Sequence, residues 1–210
     1  MPDGSTLLLF TGASLALLAV PGPAVFYVVT RSVDQGSRAG LVSVLGVETG
    51  TFAYALAAAA GLTGLIAASE AGFTAVKYAG AAYLVYLGVQ KLRSRGQEGE
   101  DTSSPHARLF LQGMVVQLLN PKIAVFFLAF LPQFVDPAQG GAAVQTLVLG
   151  TLFTVLAVLS DGAYVLVAGA LGTRLRGSRW LDRLSGGVYI GLGVGAALSG
   201  AKPASGFAAR

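Results

Sequence analysis

Six long apolar segments, each close to the length of a bilayer-spanning helix, occupy most of this 210-residue sequence. About 20 helical residues cross the hydrocarbon core of a membrane, and each segment can cross it or nearly so. Charged residues make up only 11% of the chain, whereas soluble domains have about a quarter. The sequence therefore predicts an all-α integral membrane protein whose surface is covered by the lipid bilayer. The six predicted transmembrane helices are 5–30, 41–68, 71–92, 109–134, 142–171 and 184–199.

Basic residues are concentrated in three of the connecting loops, at 31–40, 91–108 and 172–183. The amino terminus and the loops near Glu70 and Asp136 have no Lys or Arg. Lys and Arg are retained on the cytoplasmic side of a membrane. We therefore predict a multi-pass protein of the bacterial inner membrane with these three loops inside and both termini outside. The net charge of +4 then reflects topology, and no nucleic-acid partner is predicted.

The sequence repeats itself at an offset of 100 residues, which indicates a duplication. Pro21, Ala24, Val25 and Phe26 recur as Pro121, Ala124, Val125 and Phe126, and Gly50 and Thr51 recur as Gly150 and Thr151. A unit of three spans must be inserted upside down relative to its copy, as in many secondary transporters. We therefore predict one transporter domain over 1–210, built from two inverted three-helix repeats at about 5–93 and 109–200. A polar cytoplasmic linker at 94–108 joins them.

Two proline motifs interrupt the apolar segments at corresponding positions of the repeats. They are Pro21-Gly22-Pro23 in helix 1 and Asn120-Pro121-Lys122 in helix 4. Proline lacks an amide proton and clashes with the preceding turn, so each motif either kinks its helix to help packing or breaks it. The paired placement favours breaks. Broken helices place free carbonyls and helix amino termini near the membrane midplane, where they suit a zwitterionic or carboxylate-bearing substrate.

Three ionisable residues lie inside apolar spans next to these motifs: Glu48, Lys122 and Asp161. A charge at the centre of a membrane helix costs roughly 2.5–3.5 kcal/mol, so each needs a role or a partner. Lys122 is predicted to attract a substrate carboxylate, while Glu48 and Asp161 are candidate proton or substrate-amine sites. The alternative is a static ion pair with Lys122. Tyr164, three residues after Asp161, shares its helix face and is the best candidate for a hydroxyl in the pathway.

Two glycines flank Glu48 with the spacing of a close helix contact. Gly46 and Gly50 form a GxxxG pattern, which favours direct helix packing in membranes. At 3.6 residues per turn Glu48 projects about 200° away from Gly46. Packing and polar function are therefore predicted to occupy opposite faces of the second span.

Catalytic chemistry finds little support in the sequence. The single histidine, His106, lies in the polar linker, and the chain has no cysteine, so no buried metal centre or thiol chemistry is expected. The phosphate-binding pattern GxxxxGK[ST] is missing from the sequence, so ATP hydrolysis is not expected either. We predict a transporter that uses ion gradients, with no cofactor.

Three stretches carry a family resemblance: PGPAVFYVVTRSVDQGSRAGLVSVLGVETG at 21–50, KYAGAAYLVYLGVQKLR at 77–93 and NPKIAVFFLAFLPQFV at 120–135. Through nearly all six spans the chain resembles the LysE/RhtB family. The resemblance implies a bacterial exporter of amino acids or related small metabolites, driven by the proton-motive force. Protons and a small-molecule substrate are then its partners. The Pro-Gly-Pro and Asn-Pro-Lys motifs match the two family motifs by position.

One position departs from the family pattern. Many relatives have an acidic residue directly after the glycine equivalent to Gly50, whereas this chain has Thr51 there and its acid at Glu48. A metal-ion or other small-ion exporter of the wider superfamily is one alternative, although Lys122 would oppose cation binding. A nontransporting membrane accessory subunit is another. The sequence leaves open whether the protein forms a homo-oligomer.

Overall fold

The computed structural model describes residues 1–61 and 105–172, together with single helical residues between 74 and 92 and between 187 and 198. Every element in the described residues is helical, as the sequence predicts. The third and sixth predicted spans as whole helices, most of the linker and the carboxyl-terminal tail lie outside the described residues. The complete six-helix inverted repeat therefore stays a prediction.

The described helices follow in the order α1 Gly4–Ala19, α2 Pro23–Gln35, α3 Ser37–Ala59, α4 His106–Leu118, α5 Pro121–Val125 and α6 Ala142–Gly172. The α3 and α6 helices are long and apolar enough to cross a membrane. The pair α1 and α2, bent by 56°, and the pair from His106 to Phe134, bent by 50°, each form one further span if counted together. The described chain thus contains two to four candidate spans.

Both predicted helix breaks are present. The α1 helix ends at Ala19, and Pro23 becomes the first residue of α2, where its missing amide proton does no harm. The α4 helix ends at Leu118, and α5 begins at Pro121. At the second break the Asn120 side chain caps α5 by accepting a hydrogen bond from the Lys122 amide at 3.1 Å.

Helix 4 and two helix boundaries differ from the sequence prediction. After α5 the chain forms a π-helical turn at Phe126–Phe130 and a 3-10 turn at Leu131–Phe134 instead of one continuous helix. Pro132 cannot donate the next α-helical hydrogen bond, which explains the change of pitch.

The α3 helix ends at Ala59 instead of reaching residue 68, because Gly61 adopts a left-handed φ of 77°. The α4 helix begins at His106, inside the predicted linker.

Glycines bring the backbones of α3 and α4 into direct contact, as the GxxxG pattern predicts. A Cβ at Gly46 would overlap the carbonyl of Phe110, and one at Gly50 would lie 2.9 Å from the Gln117 Cβ. From the opposite helix, a Cβ at Gly113 would lie 2.6 Å from the Ser43 carbonyl oxygen. Such small residues allow close helix approach in membranes.

Replacing Gly46 with alanine is expected to destabilise the protein, because the added methyl group must push the α4 backbone away. Overpacking of this kind typically costs about 1–3 kcal/mol. Thermal unfolding of the purified protein in detergent measures the effect. Gly12→Ala in α1 is the matched control, because nothing lies within 4 Å of its Cβ position. Equal melting temperatures for the two variants would contradict the contact.

Contacts at the helix ends show which chain segments share a side of the molecule. The Met1 ammonium group donates to the Gln139 carbonyl at 2.7 Å, so the amino terminus lies beside the turn that precedes α6. At the other end of α6, the Ser32 hydroxyl donates to the Val165 carbonyl at 2.7 Å. The turn between α2 and α3 therefore lies near the carboxyl end of α6. From the distribution of loop charges, we expect the α2–α3 turn on the cytoplasmic side of the membrane and the amino terminus on the outside.

Single cysteines can test the sidedness, because the chain has none of its own. We expect Gln35→Cys, near the α2–α3 turn, to be labelled only by reagents that reach the cytoplasm. Ala138→Cys should be labelled from outside intact cells by an impermeant maleimide. The physical reason is the concentration of Arg residues in the loops on the first side. Labelling in the reverse pattern would overturn the predicted orientation.

Candidate functional site

Two apolar clusters fill the described interior and leave a polar zone between them. The phenylalanine cluster consists of Phe10, Leu18, Ala55, Ile123, Phe126, Phe127, Leu131, Leu149, Phe153 and Ala157. The valine cluster consists of Ala24, Tyr27, Val28, Val44, Val47, Val116 and Val165. Several spans contribute residues to both clusters, and along each of these spans the residues of one cluster are followed within about two helical turns by residues of the other. At the level between the two clusters, polar side chains are present on α3, α4, α5 and α6. The break between α1 and α2 lies at the same level of the first span.

The residues at this change of clusters form what we term the polar layer: Glu48, Thr51, Gln117, Asn120, Lys122 and Asp161. On α3, Glu48 and Thr51 lie between Val47 and Ala55. On α6, Asp161 lies between Ala157 and Val165. Apart from the half-buried Lys122, every member is at most 4% exposed. Buried polar side chains are costly in an apolar interior, so their convergence at one level marks a candidate site.

Lys122 bridges the two helix breaks. Its ammonium group donates hydrogen bonds to the Leu17 carbonyl at 2.8 Å and the Val20 carbonyl at 2.6 Å. These carbonyls belong to the last turn of α1 and its end, where the helix dipole favours a positive charge. Lys122 is thus a cap for α1 supplied from the second break. Two of its three ammonium protons are used in this way, and the third has no acceptor among the described residues.

The start of α2 lies beside the same ammonium group. A Cβ at Gly22 would lie 3.2 Å from Lys122 Cδ and 3.8 Å from Lys122 Nζ. Gly22 is the N-cap of α2 and offers no side chain to its first amides, those of Ala24 and Val25. The positive end of the α2 dipole and the Lys122 charge therefore converge, which suits an anionic group such as a carboxylate.

Tyrosine hydroxyls cap the carboxyl ends of both broken helices. Tyr164 of α6 donates to the Ala19 carbonyl at the end of α1 at 3.3 Å. Tyr54 of α3 donates to the Leu118 carbonyl at the end of α4 at 2.7 Å. Each long helix thus satisfies a carbonyl that the adjacent break leaves without a helical partner. The sequence interpretation singled out Tyr164 and did not include Tyr54 among the site residues.

Glu48 and Asp161 form a buried carboxyl pair between α3 and α6. They are 4% and 3% exposed and lie close enough for each to influence the other's charge. Asp161 is also within electrostatic range of Lys122. Within the part of the chain that the structure describes, neither carboxyl oxygen of Glu48 has a hydrogen-bond partner. Neighbouring carboxyl groups in an apolar interior repel each other when both are ionised, so such a pair can hold a proton.

A hydrogen-bonded line of neutral side chains was missed by the sequence interpretation. Gln117 Nε2 donates to Thr51 Oγ1 at 2.6 Å, and Asn120 Nδ2 donates to Gln117 Oε1 at 3.1 Å. The spacing holds a signal, since Gln117 is three residues before Asn120 and Thr51 is three residues after Glu48. Residues three apart share a helix face.

The predicted site residues fall into three groups in the structure. Gly22, Lys122 and Tyr164 meet at the first break, while Glu48 and Asp161 are neighbours beside it. The remaining predicted residues shape the breaks: Pro21, Pro23, Asn120 and Pro121. Tyr164 contacts the α1 carbonyl, so its hydroxyl lies on the break as a cap. The transport roles of all these residues stay predictions.

Comparison with known proteins gives a consistent result. A family model described as LysE type translocator matches residues 15–200. The chain is 33% identical over 181 residues to an uncharacterized membrane protein of Vibrio cholerae, covering 83% of this chain and 87% of that protein. It is 32% identical over 175 residues to a homoserine/homoserine lactone efflux protein of Salmonella typhimurium, covering 82% and 84%. It is 29% identical over 183 residues to a leucine efflux protein of Salmonella choleraesuis, covering 85% and 86%.

No solved structure matches the chain. The family match nevertheless includes both proline motifs, the carboxyl pair and Lys122. Its relatives are membrane and efflux proteins, which agrees with apolar helices interrupted by a buried polar layer. The chain is therefore a membrane transporter, and it belongs to the family of LysE type translocators.

Proposed function

We propose that this protein exports α-amino acids or closely related metabolites across the bacterial inner membrane, and that it binds them at the first helix break. The observation that carries the proposal is the position of Lys122. Its ammonium group lies beside the uncapped start of α2 on one side and within electrostatic range of Asp161 on the other. A positive and a negative locus next to each other match the two charges of an amino-acid zwitterion.

The positive locus would bind the substrate carboxylate. The remaining proton of Lys122 and the amides of Ala24 and Val25 are donors of the kind that bind carboxylates at helix amino termini. Gly22 supports this role because a larger residue would meet the Lys122 side chain. The carboxylate would share the ammonium group with the carbonyls of α1 rather than replace them.

The negative locus would bind the substrate amine at Asp161. Two of the similar proteins are named for the efflux of leucine and of homoserine or its lactone. Leucine, homoserine and homoserine lactone share the amine, while the lactone has an ester in place of the carboxylate. Amine binding at Asp161 would therefore serve all three, and carboxylate binding at Lys122 would serve leucine and homoserine. The amine would approach the carboxyl group that lies nearest to Lys122.

Glu48 would carry the coupling proton. Its carboxyl oxygens are buried, have no hydrogen-bond donor among the described residues and lie beside a second acid. An ionised carboxylate in such a place is costly, so binding and release of a proton at Glu48 can be tied to movement of the substrate. Export would then draw on the proton-motive force.

Efflux from proteoliposomes tests the proposed function. The purified protein would be reconstituted, loaded with radiolabelled L-leucine or L-homoserine and exposed to an imposed pH gradient. We expect efflux that exceeds that of protein-free vesicles, depends on the gradient and stops when a protonophore collapses it. Efflux of both amino acids at the rate of protein-free vesicles, with the protein folded, would contradict the proposal.

A further inference from the structure

The neutral members of the polar layer form a line of hydrogen bonds that the substrate site does not use. The line runs from α4 to α3, with Asn120 donating to Gln117 and Gln117 donating to Thr51. The three side chains are 2%, 3% and 0% exposed. Asn120 Oδ1 also accepts the Lys122 amide at 3.1 Å. The line therefore begins at the N-cap that fixes the second break.

At its other end the line reaches Glu48. Thr51 stands one helical turn after Glu48 and lies close to its carboxyl group. The Thr51 hydroxyl donates to the Val47 carbonyl at 3.4 Å, which is long for a hydrogen bond. A hydroxyl has a single proton to donate. That proton can turn from the Val47 carbonyl to Glu48.

We propose that Thr51 and Gln117 are positioning residues that transmit the protonation state of Glu48 to the second helix break. The inference rests on the proposed function, in which Glu48 carries the proton. The amide donors of Asn120 and Gln117 both point along the line towards Thr51, the residue beside Glu48. Hydrogen bonds aligned in this way polarise and strengthen one another.

The direction of the effect follows from charge. An ionised Glu48 attracts the Thr51 proton more strongly than a carbonyl does. The Thr51 oxygen then becomes a better acceptor for Gln117, and Gln117 a better acceptor for Asn120. Both hydrogen bonds of the line become stronger, and the Asn120 cap of α5 is held more firmly. Lys122 is a residue of that helix. A proton on Glu48 removes this pull and loosens the break that holds the Lys122 side chain on α1.

Two routes lead from Glu48 to α5: the line reaches the Asn120 cap, and the charges of Asp161 and Lys122 form a second, electrostatic route that the line variants leave in place. In the described part of the chain, Asp161 of α6 is the charged group that acts on Glu48, and Lys122 acts on Asp161. The α4 helix contributes the neutral Gln117. On α2, the titratable Tyr27 donates its hydroxyl proton to the Leu109 carbonyl at 3.1 Å.

Four variants and one rescue test the inference. Thr51→Val and Gln117→Leu cut the line at different points, and Thr51→Ser restores the hydroxyl. Thr49→Val is the matched control on α3, because the exposed Thr49 hydroxyl donates to the Leu45 carbonyl of its own helix and lies outside the polar layer. Gln133→Leu is the matched control for the amide, since Gln133 donates to the Ala129 carbonyl at an exposed position.

The measurement compares two activities of each variant in proteoliposomes. One is pH-gradient-driven efflux of L-leucine as a function of pH, and the other is exchange of L-leucine at equal pH. Breaking a buried hydrogen bond is expected to reduce gradient-driven efflux roughly tenfold and to flatten its pH profile. Exchange should stay within a factor of about two of the unmodified protein, because exchange at equal pH does not require the protonation state of Glu48 to change. Thr51→Ser and both controls should keep the original profile.

Two results would overturn the inference. One is a normal pH profile in Thr51→Val and Gln117→Leu together with a flattened profile in Glu48→Gln. This result would show that the line does not transmit the protonation state of Glu48, and it would leave the proposed function intact. Loss of exchange and efflux together in both line variants would show that the line only supports the fold. A normal profile in Glu48→Gln itself would instead refute the proton assignment of the proposed function.

Discussion

Replacing Lys122 with methionine is expected to reduce export of L-leucine roughly a hundredfold, the largest single-residue effect in the protein. Methionine keeps most of the length of the side chain but removes its charge. The Leu17 and Val20 carbonyls then lose their hydrogen bonds from the ammonium group, and Asp161 loses its positive neighbour. Hydrogen bonds to charged groups contribute about 1.5–3 kcal/mol each. Because about 1.4 kcal/mol corresponds to a tenfold change in rate, the loss of two such bonds and of a substrate contact is enough for a hundredfold reduction in export.

Two further variants separate the role of this ammonium group from a general loss of charge. Arg108→Met removes an exposed cation at the start of α4 and should leave export unchanged. Lys122→Arg keeps the charge but alters its shape, so we expect partial export. Efflux rates in proteoliposomes, compared at equal amounts of folded protein, provide the measurement. Full activity of Lys122→Met would show that export requires neither the Lys122 cap on α1 nor a contact between Lys122 and the substrate.

Glu48→Gln is expected to separate export from the proton gradient. Glutamine keeps the size of the side chain but cannot titrate. Gradient-driven efflux of L-leucine should fall by about tenfold or more, while exchange at equal pH continues, because general proton-transfer roles typically contribute at least that much. Efflux and exchange measured on the same vesicles decide the matter. Wild-type dependence on the gradient would contradict the assignment.

Asp161→Asn is expected to behave differently from Glu48→Gln although the two acids are neighbours. Asp161 lies within range of Lys122 and is assigned to the substrate amine, so its loss should raise the substrate concentration needed for half-maximal efflux and reduce exchange as well. A matched change at Asp3, a fully exposed acid at the start of α1, should alter neither activity. Identical behaviour of the two buried acids would indicate that they act as one unit.

Local chemistry explains which features the sequence could predict. Pro21 and Pro121 lack an amide proton, so the breaks can be read from the chain. The separation of Gly46 from Glu48 follows from the helical period of α3. In the structure Gly46 packs against the α4 backbone, and Glu48 lies next to Asp161. These properties depend on a few neighbouring residues and need no knowledge of the tertiary structure.

Long-range contacts could not be predicted in the same way. Lys122 donates to carbonyls that lie 105 and 102 residues earlier in the chain, and no local pattern marks either acceptor. Tyr54 caps the end of α4, although tyrosines in membrane proteins usually mark the interface. The π-helical turn at Phe126–Phe130 depends on packing against Phe153 and on Pro132, so hydropathy alone could not distinguish it from an α-helix.

Pairing a change in the substrate with a change in Lys122 tests the central claim most directly. Efflux of L-leucine and of L-leucinol, in which a hydroxymethyl group replaces the carboxylate, would be measured for the unmodified protein and for Lys122→Met. If the carboxylate binds at Lys122, the unmodified protein should favour leucine by roughly tenfold or more, and the variant should lose most of that preference. An equal fold-reduction for both compounds in the variant would show that Lys122 does not contact the carboxylate and would contradict the proposed site.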